Sequence, residues 1–123
     1  MPLLLVVDDE PQVRDLLRDF LSIGGYDVIE AATGEEGLRL LREERPHLML
    51  LGMTLPDMSG MEVLREVMRS DIAASVVMLT RLLDADIGRQ ALEEGAFEYL
   101  TKPVDLKHLE QLLAYKLAVM TPA

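Results

Sequence analysis

The stretch Leu3-Leu4-Leu5-Val6-Val7-Asp8-Asp9-Glu10-Pro11 decides the fold. Five apolar residues without alternation describe a strand buried on both faces, the habit of parallel sheets covered by helices. Acids end the run, and Pro11 brings the fixed φ that a first helical turn accepts. Behind it Val13, Leu16, Leu17, Phe20 and Leu21 fall on one helical stripe, which Gly24 and Gly25 close. The segment is a βα unit.

Working outward, the unit recurs. Short apolar segments at 28–31, 48–51, 75–79 and 97–100 read as further strands buried on both faces. A second helix is expected from Thr33 or Gly34 to Arg45, with Leu38, Leu40 and Leu41 inward and Pro46 as the stop. A third runs over residues 60–69 with Val63, Leu64 and Val67 inward. A fourth over 84–94, with Ile87, Ala91 and Leu92 inward and Gly95 as the stop, is the least apolar and should be the most weakly anchored. Asp105 caps a fifth that carries Leu106, Leu109, Leu112, Leu113 and Leu117. Five βα units with short loops imply right-handed crossovers, one parallel sheet and helices on both of its faces.

With 123 residues, half of them apolar, the chain suits a single domain, 1–123, with one real core. The absence of cysteine removes disulfide and thiolate-metal chemistry and fits a reducing, cytoplasmic setting. The leading apolar run has no basic residue before it and is too short for a membrane span or a signal peptide. A net charge of -10 argues against this domain gripping nucleic acid, which needs clustered cations.

In such sheets functional groups collect at the carboxyl ends of the strands. Asp8 and Asp9 follow the first strand, Gly52 and Met53 the third, Thr80 the fourth, and Lys102 with Pro103 the fifth. Singly each has an ordinary reading: Asp9 as a cap for the helix that Pro11 opens, Thr80 as a strand-end hydroxyl, Lys102 as a solvated charge. His47 and His108 read as surface residues, and no Walker-type or dinucleotide-binding glycine motif is present.

Together the runs Val6-Val7-Asp8-Asp9-Glu10-Pro11, Pro56 to Gly60, Met78-Leu79-Thr80 and Tyr99-Leu100-Thr101-Lys102-Pro103 resemble the receiver domains of two-component response regulators, in order and over nearly the whole chain. The resemblance implies a flavodoxin-like (βα)5 three-layer sandwich with strand order 2-1-3-4-5. It implies a non-enzymatic signalling module in which an aspartate ending the third strand takes a phosphoryl group. The acidic pair, here Asp8 and Asp9, and that aspartate hold Mg²⁺ with the Thr54 backbone carbonyl. By the same resemblance Thr80 and Lys102 would bind phosphoryl oxygens, Pro103 follows the lysine, and Tyr99 matches the switch aromatic.

Gly52 stands at the nucleophile position, and glycine has no atom to bond phosphorus. Asp57 is read as a turn residue pointing away from the lysine and the acids. Arg81 departs from the small residue that usually follows the switch threonine; it either narrows access to the pocket by pairing with acids or lies on the surface. With one carboxylate fewer, Lys102 can balance much of the acidic charge. Mg²⁺ is therefore expected to bind weakly or not at all, no better than roughly millimolar.

Three functions follow as expectations: a phosphorylation-independent pseudo-receiver acting as an interaction module, an ordinary receiver carrying an engineered aspartate-to-glycine change, and a pseudo-receiver sensing a small ligand. Expected partners are proteins, a histidine kinase or a fused output domain, with homodimerisation through the Tyr99 and fifth-helix face. Neither nucleic acid nor membrane is expected as a partner of this domain.

Overall fold

In the computed structural model, which describes residues 2–81 and 85–120, five strands and five helices alternate along the chain. The strands are β1 (Leu3–Val7), β2 (Asp27–Ala31), β3 (Leu48–Gly52), β4 (Ser75–Thr80) and β5 (Glu98–Thr101). The helices are α1 (Pro11–Ile23), α2 (Gly34–Glu44), α3 (Gly60–Arg69), α4 (Ala85–Glu93) and α5 (Leu106–Met120). All strand pairs are parallel, in the order β2-β1-β3-β4-β5, so β1 and β3 lie side by side although β2 intervenes in sequence.

Because successive strand residues point to opposite faces, the unbroken apolar runs feed two cores at once. Leu5, Val7, Met49, Leu51, Val76 and Met78 pack with Leu38 and Leu41 of α2, Leu64 and Val67 of α3 and Ala91 of α4. Leu4, Val6, Leu48, Leu50, Val77 and Leu79 pack with Leu17 and Leu21 of α1 and Leu109, Leu113 and Leu117 of α5. Burial on both faces holds for β1, β3 and β4 but not for the sheet edges. Most of β2 and β5 is half-buried, because each edge strand has a neighbour on one side only.

Two expected inward positions are corrected. Leu16 is half exposed, since Leu17 and Leu21 carry the contact of α1 and Leu16 lies about 100° round the helix from Leu17. Leu92 is likewise exposed beside the buried Ala91; the small residues Gly88 and Ala91, three apart, form the sheet-facing side of α4. Asp84, expected to start that helix, lies outside the described residues, as do Thr121 and Pro122.

Local capping explains several boundaries. Thr33 accepts from the Glu36 N–H and Ser59 from the Glu62 N–H, each as an N-cap. Asp105 accepts from the His108 N–H and caps α5 as expected. At the other end of α2, Arg45 takes a left-handed conformation with φ of 47°, which lets Pro46 follow without extending the helix. Asp9 does not cap α1: the N-cap position is Glu10, and no side chain caps the helix there.

Asp57 does more than turn the chain. Its two carboxylate oxygens accept from the Gly34 N–H at 2.8 Å and the Glu35 N–H at 2.9 Å, so the loop after β3 is fastened to the N-terminus of α2. Those two backbone donors hold its carboxyl below the usual aspartate range. Both histidines are exposed, and His47 Nδ1 accepts from the Leu3 N–H at 3.1 Å, tying the entries of β1 and β3.

Candidate functional site

At the carboxyl ends of β1, β3, β4 and β5 lies a cleft of about 360 Å³, lined by Asp9, Glu10, Met53, Thr54, Leu79, Thr80, Arg81, Ile87 and Lys102. The strand-end rule thus brings the expected residues together. Gly52 and Thr80 are the last residues of β3 and β4 rather than the first of their loops.

Asp8 is fully buried just beyond β1. Its N–H donates to Ala31 O at 3.1 Å, and Arg14 donates to its carbonyl at 2.6 Å. Its Oδ1 accepts from the Glu10 N–H at 2.9 Å, which winds the acidic turn tightly. The other oxygen, Oδ2, lies 2.7 Å from Lys102 Nζ as an ion pair rather than as an aligned hydrogen bond. A buried carboxylate without a cation would be costly, so this contact is what the position requires.

Glu10 is the residue the sequence reading missed. Its Oε1 receives Lys102 Nζ at 2.8 Å and Arg81 Nε at 3.2 Å, while Oε2 meets Arg81 Nη2 at 2.7 Å. Arg81 therefore grips Glu10 as a fork, with Lys102 on the same carboxylate. The Arg81 guanidinium first, and then the Lys102 ammonium, lower the Glu10 carboxyl from 4.5 to about 2. For Lys102, burial pulls downward, but the contacts with Asp8 and Glu10 outweigh it and hold the ammonium above the usual lysine range. Arg81 satisfies both readings: its side chain is largely exposed, and it pairs with an acid, Glu10 rather than Asp8 or Asp9. The signal was in the quoted stretch itself: three consecutive acids facing two cations at other strand ends.

Asp9 is exposed at the rim. Thr80 is 4% exposed at the base of the cleft, and its carbonyl accepts from the Lys102 N–H at 2.7 Å, which sets the lysine's height in the cleft. Thr54 lines the mouth and pairs with Ser59 in a short antiparallel bridge. Tyr99 is half-buried on β5, packed against the core between the sheet and α2, α3 and α4. The Lys102–Pro103 peptide bond is cis, and Pro103 is exposed.

Gly52 is buried, paired with Leu79 across the sheet. A Cβ on it would lie 2.8 Å from Asp8 Oδ2, 3.3 Å from Asp8 Cγ and 3.3 Å from Val7 O. The Asp8 carboxylate therefore leans into the space a side chain at 52 would need.

The chain matches the model of the response regulator receiver domain over residues 4–114. It belongs to that family. Among curated proteins, this receiver is 45% identical over 103 residues to the transcriptional regulatory protein KdpE of Mycobacterium tuberculosis, covering 84% of this chain and 45% of that protein. It is 39% identical over 118 residues to the response regulator protein PilR of Pseudomonas aeruginosa, covering 96% of this chain and 26% of that protein. The receiver thus spans less than half the length of these relatives. Among solved structures, a receiver domain from Clostridium thermocellum superposes with a TM-score of 0.89 at 32% identity, covering 98% of this chain and 100% of that one. The BeF3-activated N-terminal receiver domain of Klebsiella pneumoniae RstA superposes with a TM-score of 0.86 at 28% identity, covering 92% and 96%. The (βα)5 architecture, and the 2-1-3-4-5 order that the receiver resemblance implies, are those observed. No helix among the described residues is long and apolar enough to cross a membrane.

For a divalent cation, Asp8, Asp9 and Glu10 can each bring one oxygen within 4.8 Å of the others. Asp8 Oδ2 and both Glu10 oxygens, however, already face Lys102 or Arg81 at 2.7 to 2.8 Å. An ion entering among these three would have to displace Lys102 and Arg81 from two of the carboxylates.

Proposed function

We propose that this receiver is a pseudo-receiver, a protein-interaction module of two-component signalling that works without phosphorylation at position 52. One observation carries the reading: the end of β3 offers only Gly52, and the space beside it is taken by the Asp8 carboxylate paired to Lys102. A carboxylate nucleophile is absent there, and the lysine that would meet a phosphoryl oxygen is held by two internal acids. On this reading the domain needs no Mg²⁺ and binds it no better than about millimolar. Its partners are proteins, a histidine kinase or an output domain on a longer cytoplasmic chain, met through the side formed by α4, β5 and α5 around Tyr99, which also suits a second copy.

The test is incubation with acetyl phosphate and Mg²⁺, followed by intact-mass measurement, beside a receiver that has the strand-end aspartate. The expected result is an acid-stable, base-labile phosphoryl adduct on the control and none on this protein. A stoichiometric adduct of that kind on the unaltered chain would sink the proposal.

A further inference from the structure

We propose that Gly88 of α4 is a seat for the Tyr99 ring, and that this seat holds the aromatic inward and so fixes the shape of the α4–β5 surface. The proposal deepens the reading of that side as the partner face, by naming what sets its conformation.

Glycine is among the poorest residues for the middle of a helix, so its presence inside α4 calls for a reason in packing. The reason is on β5. A Cβ built on Gly88 would lie 2.6 Å from Tyr99 Cε2, 2.6 Å from Cζ and 2.7 Å from Cε1, distances that real Cβ atoms do not show. These atoms form the far edge of the ring, so the tip of Tyr99 occupies the place where any other residue at 88 would put its side chain. Gly88 is buried and Tyr99 half-buried, in contact with the core that contains Ala91, one turn further along α4.

Because β5 is the outermost strand of the sheet, no neighbouring strand confines the ring on its outer side. Tyr99 therefore has two places to go: onto the bare backbone of α4 at Gly88, or out over the edge into solvent. A methyl group at 88 removes the first. Gly88 thus acts as a positioning residue for the switch aromatic.

The experiment uses Gly88→Ala, Tyr99→Ala and the double variant in the full chain, with two measurements. Nitration by tetranitromethane, mapped by peptide mass, reads the exposure of Tyr99 against Tyr115, which is 65% exposed and serves as the internal reference. Gly88→Ala should raise the Tyr99-to-Tyr115 rate ratio about five- to thirty-fold, the population shift typical of overpacking. Thermal melting reads the contact itself. Alanine is the better helix former, so Gly88→Ala should raise the melting temperature by about 3–6 °C in the Tyr99→Ala background but not in the parent.

An unchanged nitration ratio overturns the proposal, as does equal stabilisation by alanine in both backgrounds. Should Gly88→Ala fail to fold, folding of the double variant would support the seat, and failure of both would overturn it. None of these readouts involves phosphorylation, so this inference and the proposed function can fail separately.

Discussion

Gly52→Asp should produce a domain that is less stable than its parent in chelator and that gains stability from Mg²⁺, which the parent should not. The new Cβ would lie 2.8 Å from Asp8 Oδ2, so the Asp8 carboxylate must turn before the side chain fits. Once it has turned, a second carboxylate sits beside a fully buried one. Two like charges about 4 Å apart repel by about 4 kcal/mol at an effective dielectric of about 20. Lys102, 2.7 Å from Asp8, offsets part of this, leaving about 2–3 kcal/mol of destabilisation. A divalent ion at ten times its dissociation constant would return about 1.4 kcal/mol. Urea denaturation of parent and variant at neutral pH, each with EDTA and with excess Mg²⁺, measures all four quantities. The reasoning is refuted if the variant in EDTA matches the parent within about 0.5 kcal/mol, a difference typical of an inert surface change. It is equally refuted if the parent gains from Mg²⁺ as much as the variant does.

Acid should release Glu10 from its two cations in a defined window. Glu10 has a carboxyl lowered from 4.5 to about 2, so its contribution is complete above about pH 4.5 and is lost as pH falls through about 2. Unscreened, that shift would be worth about 3 kcal/mol; with Arg81 68% exposed, screening reduces it to about 1 kcal/mol. The stability difference between the parent and Glu10→Gln should accordingly be near 1 kcal/mol above pH 5 and shrink toward zero near pH 2; a difference flat across that range would contradict it. Asp57→Ala should lower the melting temperature by about 3–6 °C by uncapping α2, with amide exchange fastest at Gly34 and Glu35. Unchanged protection at those two amides would remove the assigned role.

The alternation of strands and helices was legible because each strand run is unbroken and each helix has a stop nearby, and α3 matches its expected bounds at both ends. The errors share a cause. Leu16 and Leu92 have the right chemistry for a core but sit one step round the helix from the residues that meet the sheet, and hydrophobicity alone does not resolve a 100° step. β2 and β5 look like central strands in sequence because apolar content does not say which strands end up at an edge. In the cleft, Asp8, Thr80 and Lys102 were readable because the backbone alone delivers strand ends to one place. Glu10 and Asp57 were not, because their roles depend on side chains reaching partners far away in sequence. Glu10 meets residues 71 and 92 positions on, and Asp57 caps a helix 23 positions back.

On the reading proposed for this cleft, Gly52 and Arg81 belong together. The receiver resemblance puts an aspartate at the first position and a small neutral residue at the second. Glycine removes one negative charge, and arginine adds one positive charge within 2.7 Å of Glu10. The pair moves the cleft two units toward neutrality, which is the charge a divalent ion would bring. Either change alone would leave the balance half made: without Arg81, Lys102 would have to serve both Asp8 and Glu10, while an aspartate restored at 52 would again crowd acids around one lysine. Arg81 also reaches its acid from the end of β4, and Lys102 reaches the same acid from the end of β5, so the cations tie together the strand ends that a metal and a phosphoryl group would otherwise bridge. An internal network of this kind cannot be withdrawn by a phosphatase or a chelator. On this reading the network sets the domain's resting conformation near neutral pH, and switching comes from what binds its surface.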